Sequence, residues 1–324
     1  MGLHPAPTRR QWLACAAGLA LPSRGFGASG EGAAALIRPL AIKSTCLDIT
    51  RAGERVVAVG ERGHVLLSDD QGVQWRQAAA VPTRATLTAV YAVDARALWA
   101  VGHGGLILRS TDAGEHWQRA KSDAEAGDVL LSIRVDADGR GLAVGSFGVV
   151  LRTRDGGASW LRETLVAGET GERHLNRLFV TAGSTWLIAA EGGHVMRSDD
   201  RGEHWQAVKT PYAGSLWSGL ALADGALLAC GMRGNLVLSR DAGRSWTHRA
   251  VAGAGSLCAA AQRGDGLLAL VGVDGTLVTS RDGGTNLTLR PLDDRATLTG
   301  AVFLPSGALA VSSAAGVRVL QSVA

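Results

Sequence analysis

Two residue types that often do chemistry, aspartate and tryptophan, recur in this sequence at a fixed distance from each other. They share an element that reads S/T-x-D-x-G-x-x-W, as in SDDQGVQW from Ser68 and STDAGEHW from Ser110. Five of the six copies end in tryptophan, and successive copies begin 41 to 45 residues apart. A carboxylate in such an element would suit acid–base catalysis, and an indole would suit the stacking of a sugar ring.

The repetition itself favours a structural role for both residues. A catalytic group is needed once in an enzyme, whereas these residues return at the same place in every unit. We predict that each aspartate accepts hydrogen bonds from backbone N–H groups two or three residues further on, and that each tryptophan is buried between units. The residues concerned are Asp70, Trp75, Asp112, Trp117, Asp155, Trp160, Asp200, Trp205, Asp241, Trp246 and Asp282.

The elements that position these residues are short strands. Each repeat has, upstream, an apolar pair broken by glycine, such as LWAVGHGGLILR, and before that a third apolar run that opens with leucine. A period of 40 to 50 residues with four strands per unit is typical of a β-propeller. A seventh copy, ALAVSSAAGVRVL, ends the chain. We therefore predict an all-β fold: a single propeller over 33–324, with seven blades of four antiparallel strands. A six-bladed ring with an extra tail is the alternative.

Closure of the ring is predicted from the ends of the repeat array. The chain stops where a seventh aspartate turn would begin, so the last blade lacks its outer strand. The apolar segment Ala33–Ile42 precedes the first repeat. We expect this segment to complete the last blade, because an unpaired strand edge is a liability.

The N-terminus has the pattern of an export signal. Thr8–Leu13 reads T-R-R-Q-W-L, and a short apolar run and small residues follow. This pattern predicts a twin-arginine-type signal peptide over 1–29 and an exported, periplasmic protein, or a lumenal one in a phototroph. An untargeted N-terminus is the alternative. No later apolar stretch reaches the roughly 18–20 residues that cross a bilayer.

Composition excludes several other classes. The protein is 46% hydrophobic and 19% charged, which is typical of a globular protein and not of a disordered one. Its formal charge of +4 includes three arginines of the leader, so we expect no nucleic-acid partner. Cys46, Cys230 and Cys258 show no C-x-x-C spacing, and we expect neither a metal nor a cofactor. A Cys230–Cys258 disulfide is left open.

The full repeated unit, V-G-x-x-G-x-[IVL]-L followed by the aspartate element, resembles a known family. The element itself is similar to the Asp-box, or bacterial neuraminidase repeat. The longer unit is similar to the photosystem II stability and assembly factors and their relatives in non-phototrophic bacteria, over about Leu47 to Leu320. The resemblance implies an exported, non-enzymatic propeller that binds newly made reaction-centre protein during assembly of a membrane complex.

Candidate binding residues lie where the repeats differ. The turn between the second and third strands of each unit keeps a glycine but varies beside it, as a binding surface on a repeat protein does. The candidates are Arg62, His103, Phe147, Glu191, Arg233 and Asp274. Arg134 and Arg177 are added because they lie on neighbouring first strands, where they would place positive charge near the central channel. The resemblance also implies an arginine-rich partner surface. The residue that follows the opening leucine of each first strand is polar in five of the seven units, and it either faces channel water or makes structural hydrogen bonds. These residues are Asp48, Thr88, Ser132, Asn176 and Thr299, with Trp217 and Cys258 in the other two units.

We therefore predict a monomeric, non-enzymatic factor that binds a membrane-protein complex without spanning the membrane itself. The alternative is a sialidase-like or other glycoside hydrolase, or a glycan-binding propeller, because such proteins share Asp-boxes. Retaining sialidases use a tyrosine nucleophile, and this sequence has only Tyr91 and Tyr212. Neither lies at the late position that this mechanism's family uses.

Overall fold

A computed structural model describes residues 33–323, and the predicted signal peptide at 1–29 lies outside them. In this part of the protein, 27 strands form seven antiparallel sheets, each built from strands that are consecutive in sequence. The sheets are the seven predicted blades, so the seven-bladed propeller is confirmed and the six-bladed alternative is excluded.

The blades follow one another along the sequence. Blade one has β1 (Cys46–Ala52), β2 (Arg55–Gly60), β3 (Val65–Ser68) and β4 (Arg76–Gln77). Blade two has β5 (Leu87–Ala92), β6 (Leu98–Gly102), β7 (Ile107–Ser110) and β8 (Gln118–Arg119). Blade three has β9 (Leu130–Val135), β10 (Gly141–Gly145), β11 (Val150–Thr153) and β12 (Leu161–Arg162). Blade four has β13 (Leu175–Val180), β14 (Trp186–Ala190), β15 (His194–Ser198) and β16 (Gln206–Lys209).

The remaining three blades complete the ring. Blade five has β17 (Leu216–Ala221), β18 (Leu227–Gly231), β19 (Asn235–Ser239) and β20 (Thr247–Ala250). Blade six has β21 (Leu257–Gln262), β22 (Leu268–Gly272), β23 (Leu277–Ser280) and β24 (Thr288–Leu289). Blade seven has β25 (Leu298–Phe303), β26 (Leu309–Ser313) and β27 (Gly316–Leu320). Short 3-10 turns lie at Ala41–Lys43, Glu61–Gly63, Ser146–Gly148, Glu169–Glu172, Glu191–Gly193 and Met232–Gly234.

Burial explains why these segments read as continuous apolar runs. Every residue of the second strand is buried in blades two to seven, because neighbouring blades cover both faces of each sheet. Seven apolar clusters fill the seven seams between adjacent blades. The seam between blades seven and one, for example, packs Ile49 of β1 against Leu304 and Ala310. The core is therefore a ring of seven interfaces, and it closes on itself.

Polar side chains of the first strands join one blade to the next around the centre of the ring. Each first strand contacts the first strands of its two neighbours. Thr88 donates from its hydroxyl to the carbonyl of Leu130, and the Leu178 N–H donates to the hydroxyl of Ser132. Asp48, Asn176 and Thr299 make corresponding bonds to Val90, Leu216 and Cys46 of the following blade. Of the two roles left open for this position, these bonds favour the structural one.

The segment before β1 does not follow the predicted course. The Ala35 N–H donates to the carbonyl of Val81 at 2.9 Å, and the side chain of Gln77 bonds the backbone of Leu36 and Arg38. Residues 34–38 therefore run along blade one, and within 33–323 the seventh sheet keeps three strands. The expected fourth strand from Ala33–Ile42 is not confirmed. Pro39 contributes a physical reason, since it has no N–H for a strand ladder.

Three further observations concern chemistry and membranes. Cys46, Cys230 and Cys258 are free thiols. Among residues 33–323 no cluster of His, Cys, Asp or Glu side chains could hold a metal ion. No helix in the same range is long and apolar enough to cross a bilayer.

Candidate functional site

The repeated aspartates lie in closed hydrogen-bonded turns on one face of the ring. In the third blade, Thr153 donates from its hydroxyl to Asp155 Oδ1 at 2.8 Å, and the N–H of Gly157 donates to that hydroxyl at 2.9 Å. Ser159 donates to both Asp155 oxygens, from its N–H at 3.0 Å and its hydroxyl at 2.6 Å. The closer donor N–H thus comes four residues on, one further than expected, and the N–H of Ala158, three residues on, contributes less. These bonds, those of the Ser159 hydroxyl first, lower the pKa of Asp155 to about 2.

The same turn recurs in the other five copies. In each, the serine hydroxyl bonds the first aspartate oxygen, and the N–H four residues beyond the aspartate donates to that same oxygen. We interpret these carboxylates as the organising acceptors of the turns, because their oxygens are already occupied by local donors.

The tryptophans of these turns pack between blades, and one of them differs from the rest. The indoles of Trp75, Trp117, Trp205 and Trp246 each donate to the carbonyl of the turn glycine. Trp160 is fully buried and its Nε1 has no hydrogen-bond partner among the described residues. Trp99 of blade two lies edge-on to it, with ring centroids 5.6 Å apart. A Cβ on Gly157 would lie 2.0 Å from Trp99, so this ring fills the space beside the turn.

The opposite face carries the turns between second and third strands, here called the tip turns. Arg62, Phe147, Arg233 and Asp274 adopt φ values of 53° to 57°, in the left-handed region that non-glycine residues rarely enter. All four are exposed. His103 and Glu191 stand one position earlier in their turns, where glycine takes the left-handed position instead. The six predicted residues therefore occupy two different positions of the same turn.

The loops between blades dock onto the tip turns and lie on the same face. A Cβ on Gly148 would lie 1.8 Å from the carbonyl oxygen of Gly171, in the loop that follows blade three. The equivalent Gly63 and Gly193 would meet the carbonyls of Thr83 and Tyr212 at 2.1 and 1.7 Å. These close approaches are why glycine is kept beside a variable residue.

Three neighbouring tip turns form a surface rich in aromatic and basic groups, which we call the blade 3–5 arc. It comprises Phe147, Arg173, His174, Glu191, His194, Lys209, Tyr212, Arg233 and His248. Phe147 is 76% exposed and its ring centroid lies 4.6 Å from that of His174. Tyr212 stacks on His248 at 5.4 Å and donates from its hydroxyl to the carbonyl of Met232.

The structure does not bring all the predicted partner residues together. Phe147, Glu191 and Arg233 belong to the blade 3–5 arc. Arg62 lies on blade one, His103 on blade two and Asp274 on blade six, where Asp274 pairs with Arg295 at 2.8 Å. These three lie outside the blade 3–5 arc.

The two predicted channel arginines are held by internal partners. Arg134 pairs with Asp136 at 2.7 Å and lies over the ring of Tyr91. Arg177 of blade four reaches Asp48 of blade one at 3.0 Å, so this ion pair spans the centre of the ring. Both cations are neutralised by a neighbouring carboxylate.

Arg173 and His174 lie in the long loop after blade three, and the length of this loop in the sequence marks it as a candidate recognition segment. Sequence reasoning missed the other four members of the arc, His194, Lys209, Tyr212 and His248, which come from positions that show no departure from the repeated pattern. The one available signal was histidine at the first position of a third strand, where most blades carry a smaller or apolar residue.

Fold and surface together define a class: a seven-bladed β-propeller with repeated aspartate turns on one face and variable, exposed tip turns on the other. The sequence model of the photosynthesis system II assembly factor YCF48 family matches residues 122–267, which span blades three to five and the first strand of blade six. The match covers somewhat less than half of the sequence and confirms the resemblance inferred from the repeats.

Solved structures agree with the fold. YCF48 bound to D1 peptide is 19% identical, with a TM-score of 0.69 over 88% of this protein and 95% of that one. YCF48 from Cyanidioschyzon merolae is 18% identical, with a TM-score of 0.66 over 89% and 98%. The WD40 propeller domain of Doa1 scores similarly, 0.68 at 16% identity over 89% and 95%, so these likenesses establish the propeller and not its ligand. No curated protein sequence matches this one significantly.

Proposed function

We propose that this protein is a non-enzymatic binding factor that holds a segment of another protein on its blade 3–5 arc. By resemblance to the YCF48 family, that protein belongs to a membrane complex under assembly, and the predicted signal peptide would export the factor to meet it. The structure of YCF48 bound to D1 peptide supports a peptide ligand for a propeller of this kind.

The observation that carries the proposal is Phe147. A phenylalanine that is 76% exposed and held at φ 53° costs stability twice, through exposed apolar surface and through backbone strain. Blades two and four have glycine at the same position, so the fold does not require a side chain there. An aromatic ring at such a position is suited to binding, because aromatic anchors dominate protein interfaces.

The two tyrosines make a glycosidase the weaker interpretation. The hydroxyl of Tyr212 is bonded to a backbone carbonyl, and burial raises its pKa. Burial likewise raises the pKa of Tyr91. A nucleophilic tyrosine needs the opposite shift, toward an accessible phenolate.

The test is in-cell crosslinking followed by affinity purification from detergent-solubilised membranes, with partners identified by mass spectrometry. Phe147→Gly and Arg233→Gly should each reduce recovery of the partner at least about fivefold while leaving thermal stability equal or slightly higher. Ala113→Gly is the matched control, because Ala113 has a φ of 60° on the aspartate-turn face. Equal recovery with the tip variants and the control would refute the proposal, as would turnover of sialosides or glucan oligomers by the purified protein.

A further inference from the structure

The tip of blade four holds a buried histidine whose ring nitrogen has no partner. His194 is the first residue of β15 and is 9% exposed. Its Nδ1 makes no hydrogen bond among the described residues. A polar atom buried without a partner destabilises the folded state, so such a group requires an explanation.

Basic groups surround this nitrogen. A Cβ on Gly192 would lie 2.4 Å from Arg173 Nη1 and 3.7 Å from His194 Nδ1, so the guanidinium and the imidazole border the same small space. The register of β15 with β16 places Lys209 opposite His194. Arg173 Nε is also buried without a partner.

No acid within 33–323 balances these groups, since neither Arg173 nor Lys209 forms an ion pair there. Glu191, the acid nearest to His194 in sequence, has His174 as its partner: its Oε2 accepts from the His174 N–H at 3.3 Å and lies 4.0 Å from His174 Nε2. Burial first, and then the charges of Arg173 and Lys209, lower the pKa of His194, while the nearby backbone carbonyls of Glu191 and Gly192 act in the opposite direction to a smaller extent. The site therefore has an excess of positive charge, an unused guanidinium donor and an unpaired imidazole nitrogen.

Blade one offers a natural comparison at the same position. His64 is 4% exposed and its Nδ1 is likewise unpartnered among the described residues. Its charged neighbours are Glu61 and Arg62, one of each sign, which act on its pKa in opposite directions. At blade four, by contrast, the charges that act on the pKa of the ring are both basic.

We propose that Arg173, His194 and Lys209, around the side-chain-free Gly192, form a carboxylate-binding subsite. A guanidinium and an imidazole can donate to the two oxygens of one carboxylate, and Arg suits this recognition because its donors form a fixed fork. The carboxylate is carried either by an acidic side group or by the C-terminus of a polypeptide. That it belongs to a bound protein segment rests on the proposed function; the subsite itself does not.

The experiment follows the His194 ring by NMR in the full-length protein during titration with two small carboxylates. N-acetyl-aspartate N-methylamide presents a side-chain acid, and N-acetyl-alanine presents a C-terminal one. We expect saturable shifts of the His194 ring signals and a rise in its pKa with one or both compounds. The compound that binds identifies the source of the carboxylate. N-acetyl-asparagine N-methylamide, which has no charge, should cause no shift.

Variants separate the subsite from general surface charge. Arg173→Gln should weaken binding about tenfold or more, whereas Lys121→Gln, an exposed cation in another loop, and His64→Gln should not change it. Unchanged affinity in Arg173→Gln, or no response of His194 to either carboxylate, would overturn the subsite. The NMR titration needs no partner protein. If the titration shows no carboxylate binding while Phe147→Gly still reduces recovery of the partner, the subsite is refuted and the proposed function is not.

Discussion

The unpaired indole of Trp160 makes a sharp prediction about two substitutions that look identical in sequence. Trp117 and Trp160 occupy the same place in successive blades, and both are nearly inaccessible to solvent. Trp117 Nε1 donates to the Gly114 carbonyl at 2.8 Å, whereas Trp160 Nε1 has no partner within residues 33–323. Trp117→Phe and Trp160→Phe remove the same atoms, so loss of packing volume largely cancels when the two variants are compared.

The magnitude follows from the hydrogen bonds alone. An intramolecular hydrogen bond contributes about 1 kcal/mol net, and a buried unpaired polar group costs about 1–3 kcal/mol. Trp117→Phe loses the bond, and Trp160→Phe removes the unpaired group. The free energy of unfolding should therefore fall further in Trp117→Phe, by about 2 kcal/mol or more.

Urea unfolding followed by far-UV circular dichroism measures the difference, because fluorescence changes with every tryptophan removed. A further variant tests the cause. Trp99 stands where blades three, four and five carry Leu142, Leu187 and Leu228, so Trp99→Leu should free space beside the Trp160 turn. In that background Trp160→Phe should cost as much as Trp117→Phe does. Equal losses from Trp117→Phe and Trp160→Phe in the native background would refute the reasoning.

Three other predictions concern pH, thiols and glycines. Hydrogen bonds within its turn hold the pKa of Asp155 at about 2, below the ordinary 3.8. Its contribution to stability should therefore be complete above about pH 5 and be lost as the pH falls through about 2, so urea midpoints of the native protein and Asp155→Asn should converge over that range. Burial raises the pKa of Cys46 to about 12 and of Cys258 to about 11. Iodoacetamide at pH 8 should therefore label these thiols only after unfolding, with labelling measured by mass spectrometry. Rapid labelling of the folded protein would contradict this. Gly148→Ala should prevent native folding or lower the melting temperature severely, because its Cβ would lie 1.8 Å from a backbone oxygen. Gly156→Ala, with a similar φ of 69° but open space around its Cβ, should lower the free energy of unfolding by only about 1 kcal/mol. Similar losses in the two variants would mean that backbone strain, and not the contact with the loop, determines the destabilisation.

Much of the fold was predictable because its signals are local and repeated. A strand of five or six apolar residues, a glycine at a turn, and an aspartate two residues after a serine or threonine can each be recognised from a few neighbouring positions. Seven copies at nearly constant spacing then require a ring, since a single blade cannot bury both its faces. The position of the tip turns follows from the same periodicity, which is why Phe147 and Arg233 were found.

The tertiary structure decided which side chains are in contact, and these contacts join residues that are far apart in the repeated sequence. Arg177 reaches Asp48 across the ring, and Trp99 packs against the indole of Trp160 one blade away. The course of 33–42 depended on partners in blade one that hydropathy does not reveal. The physical reason is common to all: the repeat specifies each blade, but contacts between blades depend on ring closure and on side-group size at each seam. Those contacts placed Arg173 close to His194, and no local pattern in the sequence predicts that the two residues are neighbours.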